Sequence, residues 1–306
     1  MKNMTNMFRF LSVILLSSTI ALFSCQKENS KATQEENEQF AQVASESDAE
    51  SEAIFDDVFD NVMGVNTEVG VGGTGVFGQA NYNPGEEIIS GVNGIDSTPA
   101  CLTVTITRLS QTAFPVKIVM DFGSGCVGRD GRTRKGKIIT VYTGRLVNSG
   151  SVAETTFDGY YINNIHVEGT HRVENKSTSN LWIFQVKVTN AKLSKENGNY
   201  SEWNSTKTIA QIEGNATPFN VFDDVFSVSG EANGAVKRDN AYYQWGARTL
   251  ADNALIKKFI CRWIVKGKIA FRRSNAEVAV LDYGNGNCDN KATISIGGVV
   301  YEISLD

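Results

Sequence analysis

Apolar and polar residues alternate one by one along most of this chain. The alternation is clearest over 102–107, 182–189 and 261–272, where apolar side chains recur at nearly every second position. A period of two is typical of antiparallel strands with one buried face and one face in water. Because 28 glycines stand against only 4 prolines, tight hairpin turns fit the intervening segments. We therefore predict that residues 65–306 form an all-β body, an antiparallel β-meander folded as a large curved sheet or a sandwich.

One segment, residues 46–64, has a different period. Its apolar side chains are spaced by three and four positions, which places them on one face of a helix with aspartates opposite. These apolar residues are Ile54, Phe55, Val58, Phe59, Val62 and Met63. Gly64 is a suitable helix end. We predict an N-terminal amphipathic helix that docks on the β-body, because its acidic polar face does not suit a membrane surface.

The segment before this helix, residues 26–45, is rich in Glu, Gln, Ser, Asn and Ala. This composition predicts a flexible, acidic and solvated tether. Residues 26–62 carry eleven acidic and two basic side chains, a net charge of −9 within an overall −5. The remaining body is therefore close to neutral. Nucleic-acid binding requires a basic surface, so we expect no nucleic acid among the partners.

The first 25 residues have the organisation of a secretory signal peptide. Lys2 and Arg9 precede an apolar run over 10–23 that is too short to remain as a membrane span. The run leads into the tetrapeptide Leu-Phe-Ser-Cys at 22–25. This tetrapeptide resembles the lipobox of bacterial lipoproteins. The resemblance implies that residues 1–25 are a lipoprotein signal peptide and that Cys25 is the lipid attachment site, carrying palmitate or similar acyl chains.

Residues 26–28, Gln-Lys-Glu, directly follow this cysteine. They are similar to the Gln-Lys-acidic tag of surface-displayed lipoproteins in Bacteroidota. The resemblance implies a protein anchored by lipid in the outer membrane and exposed at the cell surface, so that the membrane is its first partner. Several acyl chains hold a protein more firmly than one, because each buried methylene adds about 0.8 kcal/mol.

The remaining cysteines are even in number, which fits disulfides in an oxidising compartment. They are Cys101, Cys126, Cys261 and Cys288. A two-residue turn at 274–275 places Cys261 opposite Cys288 across a hairpin, at the separation that a disulfide requires. Cys101 and Cys126 meet only if the chain folds back at 123–125. We predict these two bridges rather than a zinc site, because the chain has no Cys-x-x-Cys pair.

The downstream cysteine of each pair closes a similar motif. Residues 120–126 read Met-Asp-Phe-Gly-Ser-Gly-Cys, and residues 281–288 read Leu-Asp-Tyr-Gly-Asn-Gly-Asn-Cys. With Phe-Asp-Asp-Val-Phe at 55–59 and the basic segment at 130–137, these motifs resemble a recurring group of Bacteroidota lipoproteins. The resemblance implies an all-β extracytoplasmic body and no particular activity.

No motif of the chain predicts an enzyme. The glycine run at 70–75 has the spacing of a dinucleotide fingerprint, but the residues after it cannot open a helix, so we predict no cofactor. His166 and His171 have an odd separation, which places them on opposite faces of one strand, where they share neither a metal nor a proton. Residues 282–290 crowd Asp and Asn side chains into one segment. Calcium binding and ordinary turn formation both remain open there, although the spacing of a calcium loop is absent.

Binding is the remaining class of function, with a glycan or a protein as ligand. Aromatic side chains that could stack on sugars occur in three groups. They are Tyr160 with Tyr161, Tyr200 with Trp203, and Tyr242 with Tyr243 and Trp245. Aromatic residues on alternating strand faces are also expected to be core residues that need no ligand.

Two further features bear on the surface. The segment 129–137 carries five basic residues and one acidic residue, which predicts either a solvated hairpin tip or a binding site for acidic glycans. Ser97, within Asp-Ser-Thr at 96–98, resembles the O-glycosylation acceptor of secreted Bacteroidota proteins.

We predict a surface-anchored, non-enzymatic protein with a binding or envelope-structural role. The alternative is a carbohydrate-binding lipoprotein of an outer-membrane glycan uptake system.

Overall fold

The computed structural model describes residues 25–71, 100–128, 131–178, 181–217, 223–261, 263–274 and 276–304. These residues form one helix and one sheet. The helix is α1, Cys25–Gly64. The strands are β1 Thr103–Arg108, β2 Val116–Asp121, β3 Cys126–Val127, β4 Thr133–Tyr142, β5 Val152–Ile162, β6 Ile165–Asn175, β7 Ile183–Ser194, β8 Tyr200–Glu213, β9 Val225–Arg238, β10 Ala241–Thr249, β11 Leu255–Lys258, β12 Ile264–Arg273, β13 Ala276–Asn285, β14 Lys291–Ile296 and β15 Val299–Ser304. The prediction of an all-β antiparallel body with one N-terminal helix is confirmed.

The strands are joined as a meander, with neighbours in sequence lying side by side. The order is β1-β2-β4-β5-β6-β7-β8-β9-β10-β12-β13-β14-β15, while β3 pairs with β4. The short strand β11 pairs with both β9 and β12 and so continues the position of β10 in the sheet. Among the described residues β1 and β15 are the edge strands. The body is therefore a single sheet and not a sandwich.

The helix crosses the strands and joins one side of the sheet to the other. Its 40 residues span about 60 Å at 1.5 Å per residue, and thirteen neighbouring strands span roughly 58 Å at 4.8 Å each. The Tyr301 hydroxyl of β15 donates to Glu38 near the start of the helix. The Tyr142 hydroxyl of β4 donates to the Val62 carbonyl near its end. One helix thus contacts both β15, the last strand of the meander, and β4, near its beginning.

The helix is longer than the sequence pattern indicated. It begins at Cys25, so the prediction of a flexible tether over 26–45 is wrong. Phe40, Ala41, Val43 and Ala44 are buried in the core. Large apolar residues are scarce in this segment because its buried face is built mainly from alanine and serine, which let the helix lie close to the sheet.

The core lies between the helix and the inward face of the sheet, with Phe55 near its centre. The Phe55 ring stacks on Trp203 of β8 at 5.6 Å and on His171 of β6 at 6.1 Å, measured between ring centroids. Phe157 of β5 meets the same ring edge-on at 6.1 Å. Aromatic pairs in these geometries contribute about 0.5–1.5 kcal/mol each beyond the area they bury. A single phenylalanine of the helix thus joins three strands.

Both predicted disulfides are present. The Cα atoms of Cys101 and Cys126 are 5.4 Å apart, and those of Cys261 and Cys288 are 5.7 Å apart. Cys126 lies on β3 opposite Arg134, because the chain folds back after Asp121 as expected. Each bridge closes a loop of 25 or 27 residues, which contributes about 3–4 kcal/mol in the chain-entropy model.

The second bridge forms for a slightly different reason than the sequence indicated. The turn after Arg273 has the expected register, with Arg273 opposite Ala276. Bulges in β12 and β13 then shift the pairing, so that Ile269 lies opposite Leu281. Cys261 and Cys288 consequently meet beyond the ends of the paired strands, where the backbone is free to bring them together.

Candidate functional site

The acidic residues of α1 form ion pairs with cations of the sheet. The pairs are Glu46 with Arg238 at 2.8 Å, Glu50 with Lys195 at 2.7 Å, and Glu52 with Lys207. Surface pairs contribute only about 0–1 kcal/mol each. They nevertheless connect the helix to different parts of the sheet, so the acidic residues of the helix help to hold it on the sheet.

The two described arginines of the basic segment 129–137, Arg132 and Arg134, turn towards the helix rather than towards solvent. Arg134 of β4 is completely buried, and its Nε donates to Asp57 Oδ2 of the helix at 3.2 Å, while its Nη2 donates to Asp57 Oδ1. Arg132 Nη1 also donates to Asp57 Oδ1, at 3.3 Å. The interpretations of a solvated tip and of a glycan-binding tip are both wrong for these two arginines, because the helix supplies a carboxylate that draws them inward.

Most of the predicted sugar-stacking aromatics belong to the core. Tyr160, Trp203 and Trp245 are buried on the inward face, so they cannot act as platforms for a ligand. Tyr161 is covered by the Lys135 ammonium group, 4.2 Å from its ring centroid. Tyr242 is different, because 53% of its surface is exposed. Tyr200 and Tyr243 are partly buried, so Tyr242 is the most exposed of these candidate platforms.

The two histidines lie on opposite faces of β6, as predicted. His171 is buried against Phe55, and neither of its ring nitrogens has a hydrogen-bond partner in the described part of the chain. His166 lies on the other face beside Tyr161, 4.6 Å between ring centroids. Burial lowers the pKa of His171 from 6.5 to about 3, because an apolar environment disfavours the charged imidazolium. His171 is thus a neutral core residue.

We expect His171 to make stability depend on pH between 6.5 and 3. In this window the unfolded chain binds a proton at His171 that the folded protein does not, so stability falls as the pH falls. The loss from pH 7 to pH 5 is about 2 kcal/mol. In His171→Phe, the free energy of unfolding should therefore fall by about 2 kcal/mol less than in the wild type over this range. Urea titrations at both pH values measure this.

Buried carboxylates do not obscure this comparison. Burial raises the pKa values of Asp48 and Asp56, and these groups oppose the histidine by favouring the folded state at lower pH. Both are present in the wild type and in the variant, so their contributions cancel in the difference. An equal fall in the two proteins would show that His171 is protonated in the folded state.

In the Asp- and Asn-rich segment 282–290, the carboxylates of Asp282 and Asp289 form hydrogen bonds and an ion pair with other groups of the protein. Asp282 Oδ1 accepts from the Gly284 backbone amide at 2.9 Å, and its Oδ2 pairs with Lys268 at 2.8 Å. Asp289 accepts from the Lys291 amide at 3.0 Å. In the part of the chain that the structure describes, no group of three or more His, Cys, Asp and Glu side chains converges on a metal position. The contacts of Asp282 and Asp289 are those of turn residues and an ion pair.

Some predicted sites are not placed by the structure. Ser97 lies outside the described residues, as does the glycine run after residue 71. Cys25 is the first residue of α1, and its lipidation stays a prediction.

A groove on the outer face of the sheet is the strongest candidate for a ligand site. Here β10 lies between β9 and β12, and its odd-numbered residues, including Trp245, face the core. Its even-numbered residues face away from the helix. We call this site the Arg272 groove. Its volume is about 450 Å³, and the residues used below are Asn233, Tyr242, Gln244, Gly246, Arg272 and Arg273. Sites for small molecules have volumes of roughly 300–1,000 Å³.

The centre of the groove is formed by Gly246 and Arg272, which face each other on β10 and β12. The guanidinium lies over the glycine, with Nη2 3.5 Å and Nε 3.6 Å from where a Cβ would stand. Nε of Arg272 has no hydrogen-bond partner in the described structure. This atom is also buried, and a buried polar atom without a partner is unfavourable.

The remaining groups of the groove are mainly polar or aromatic. Asn233 and Gln244 each offer an amide that can donate and accept hydrogen bonds, and Tyr242 offers an exposed ring. Arg273 also lines the groove, but its side chain extends towards the helix, with Nη1 3.7 Å from Glu36. Among the described residues that line the groove there is no carboxylate, thiol or imidazole.

Sequence reasoning identified Tyr242 but missed its neighbours. Alternation along 242–246 indicates that Tyr242, Gln244 and Gly246 share a face. Arg272 lies beside them because β10 pairs with β12, although the short strand β11 comes between the two in the sequence. That register depends on tertiary packing, and no local pattern encodes it.

The described residues contain no helix with the length and apolarity needed to cross a membrane. Comparisons of the chain with protein-family models, with curated proteins and with solved structures found no match.

Proposed function

We propose that this chain is a lipid-anchored protein of the outer membrane, exposed at the cell surface, whose β-body binds a ligand without catalysis. The Arg272 groove carries the binding part of the proposal. It combines an exposed aromatic ring, two amides and an arginine on one face of the sheet. Its described lining residues include no carboxylate, thiol or imidazole for acid–base or nucleophilic chemistry.

The location rests on the N-terminal sequence and is supported by the cysteines. The segment 1–25 has the features of a lipoprotein signal peptide, and Cys25 is the residue that would be acylated. Both cysteine pairs are at disulfide distance, which fits an oxidising compartment outside the cytoplasm. The helix that begins at Cys25 would connect the lipid directly to the body.

Replacement of Cys25 by alanine tests the anchor. In a Bacteroidota host we expect the wild type to incorporate labelled palmitate and to sediment with the outer membrane. Cys25→Ala should incorporate none and leave the membrane fraction. The matched control is Cys261→Ser with Cys288→Ser, which removes two cysteines and should keep the label. An unacylated wild type, or palmitate in Cys25→Ala, would contradict the proposal.

Cell-surface exposure is tested separately. Protease added to intact cells should degrade the wild-type body if it faces outward, whereas a periplasmic marker stays intact. Full protection of the body would place it on the inner leaflet.

A glycan uptake role is the second candidate function, and one observation favours it. Tyr242 is the exposed aromatic residue of the groove, and it stands beside amides that suit sugar hydroxyl groups. A groove that bound no glycan would favour the envelope-structural role instead.

A further inference from the structure

The contact between Glu52 of α1 and Lys207 of β8 is the least exposed of the described ion pairs that the glutamates of the helix form. The Lys207 side chain is 13% exposed and that of Glu52 is 22% exposed, whereas Arg238 and Glu46 are 39% and 46% exposed. The Lys207 Nζ is in direct contact with the Glu52 carboxylate. An amine and a carboxyl group are therefore held together where most of the solvent is excluded.

The surroundings of this contact are mainly apolar. Lys207 and Glu52 line a small cavity beneath the helix, and the Trp203 ring centroid lies 5.4 Å from the Lys207 Nζ. The apolar side chains of the cavity are Phe55, Phe59, Val186, Val188, Trp203 and Ile209. The cavity volume is about 20 Å³, which is room for about one water molecule. Such surroundings favour the neutral forms of an amine and of a carboxyl group.

The geometry of the sheet directs Lys207 towards the helix. Lys207 shares the inward face of β8 with Trp203 and Ser205, both of which are buried. Its cross-strand neighbour on β9 is Gly230. A Cβ at position 230 would stand 2.8 Å from the Lys207 Cα and 3.0 Å from its Cγ. Glycine therefore leaves the space that the stem of the lysine occupies.

Burial also brings the groups towards the protonation states that a reaction between them requires. Burial lowers the pKa of Lys207 from 10.5 to about 8, which favours the neutral, nucleophilic amine. Asp48 precedes Glu52 by one helical turn and so lies on the same face of the helix. Its charge interacts with Lys207, and burial raises its pKa. A protonated Asp48 can act as a general acid beside the Glu52 carboxyl group.

We propose that Lys207 and Glu52 form an intramolecular amide bond, which crosslinks the helix to β8. The ion pair first becomes neutral, as a proton passes from Nζ to the carboxylate. Nζ then forms a bond to Cδ of Glu52, a C–O bond of the carboxyl group breaks, and the oxygen leaves as water. Asp48 gives its proton to the leaving hydroxyl and takes one from the attacking nitrogen, so it ends unchanged. The product replaces two poorly solvated charges with one neutral group.

The crosslink would join the element that carries the predicted lipid to the body of the protein. The helix begins at Cys25, and Glu52 lies in the part of it that packs on the sheet. A helix bound covalently to β8 cannot leave the sheet when the anchor is pulled. The bond requires neither the acyl chains nor a ligand, so it stands apart from the function proposed above.

Mass spectrometry of the full-length protein, after reduction of its disulfides, tests for the bond. We expect the wild type to be lighter by one water molecule than the mass of Lys207→Arg predicts, after allowance for the substitution. Glu52→Ala should likewise keep its water. The matched control is Lys195→Arg, which changes the lysine of the more exposed pair with Glu50 and should still lose the water. Asp48→Asn should slow the reaction by about a hundredfold or more, because general acid–base catalysis contributes about 10²–10⁴-fold. A smaller crosslinked fraction directly after synthesis would show this.

Chemical cleavage identifies the joined residues. Hydroxylamine breaks Asn–Gly bonds, which this chain has at 93–94, 197–198, 233–234 and 285–286. Glu52 then belongs to the fragment that ends at Asn93, and Lys207 belongs to the fragment 198–233. Neither fragment contains a cysteine of the two disulfides. In denaturant the two fragments should remain joined in the wild type and separate in Lys207→Arg.

Each contrary result has a definite meaning. A wild type that keeps its water, and whose two fragments separate in denaturant, would show that Glu52 and Lys207 form only an ion pair and would overturn the inference. A loss of water that persists in Lys207→Arg would also overturn it, because the bond would then lie elsewhere. Equally fast and complete crosslinking in Asp48→Asn would overturn the role of Asp48 as general acid and leave the amide in place.

Discussion

Replacement of Asp57 by alanine is expected to lower the free energy of unfolding by about 3–5 kcal/mol. Asp57 accepts two hydrogen bonds from Arg134, whose side chain has no exposed surface, and one from Arg132. Without the carboxylate, the buried Arg134 guanidinium loses its ion pair with the helix. Because domains are stable by only about 5–15 kcal/mol, this loss should be evident in a guanidinium chloride titration followed by tryptophan fluorescence.

Two comparisons show whether the buried charge is the cause. Asp252→Ala removes an exposed aspartate from the loop after β10 and should change stability by less than about 0.5 kcal/mol. Asp57→Leu combined with Arg134→Met removes both charges and should recover much of the loss, since an apolar pair can replace a buried ion pair. If Asp57→Ala costs less than about 1 kcal/mol, the two arginines reach water or another partner when Asp57 is absent.

The fold could be predicted from the sequence because its main signals are local. A period of two marks the strands, and hairpin turns between them leave a meander as the simplest connection. The turn between Arg273 and Ala276 is an example: the strands end where the turn residues indicated. The disulfide pairing was predicted correctly, although register shifts bring Cys261 and Cys288 together beyond the ends of the paired strands.

The helix start and the inward arginines could not be predicted, for related reasons. The residues of 40–51 that face the sheet include Ala41, Ala44, Ser47 and Ser51, and such small residues look like a linker by composition. Arg134 lies on a strand with few apolar neighbours and looks exposed. Both assignments depend on the helix lying across the sheet, which is a long-range arrangement that neither segment encodes alone.

Replacement of Trp203 by alanine is expected to cost about 3–5 kcal/mol, the range for large aromatic residues removed from a core. The indole is buried, stacks on Phe55, and donates from Nε1 to Asp48 Oδ1 at 2.9 Å. Its loss therefore opens a cavity beneath the helix and leaves a buried carboxyl without its donor. Thermal unfolding followed by circular dichroism measures the effect.

Trp203→Phe separates the two contributions, because phenylalanine keeps an aromatic ring against Phe55 but cannot donate to Asp48. We expect it to cost about 1–3 kcal/mol from the unpartnered carboxyl, less than alanine does. Burial raises the pKa of Asp48, and removing the donor should raise it further, so Trp203→Phe should lose less stability at pH 5 than at pH 7. Tyr242→Ala removes an exposed aromatic residue and should be nearly neutral. If Trp203→Ala lost as little stability as Tyr242→Ala, the helix would not depend on the contact with Trp203.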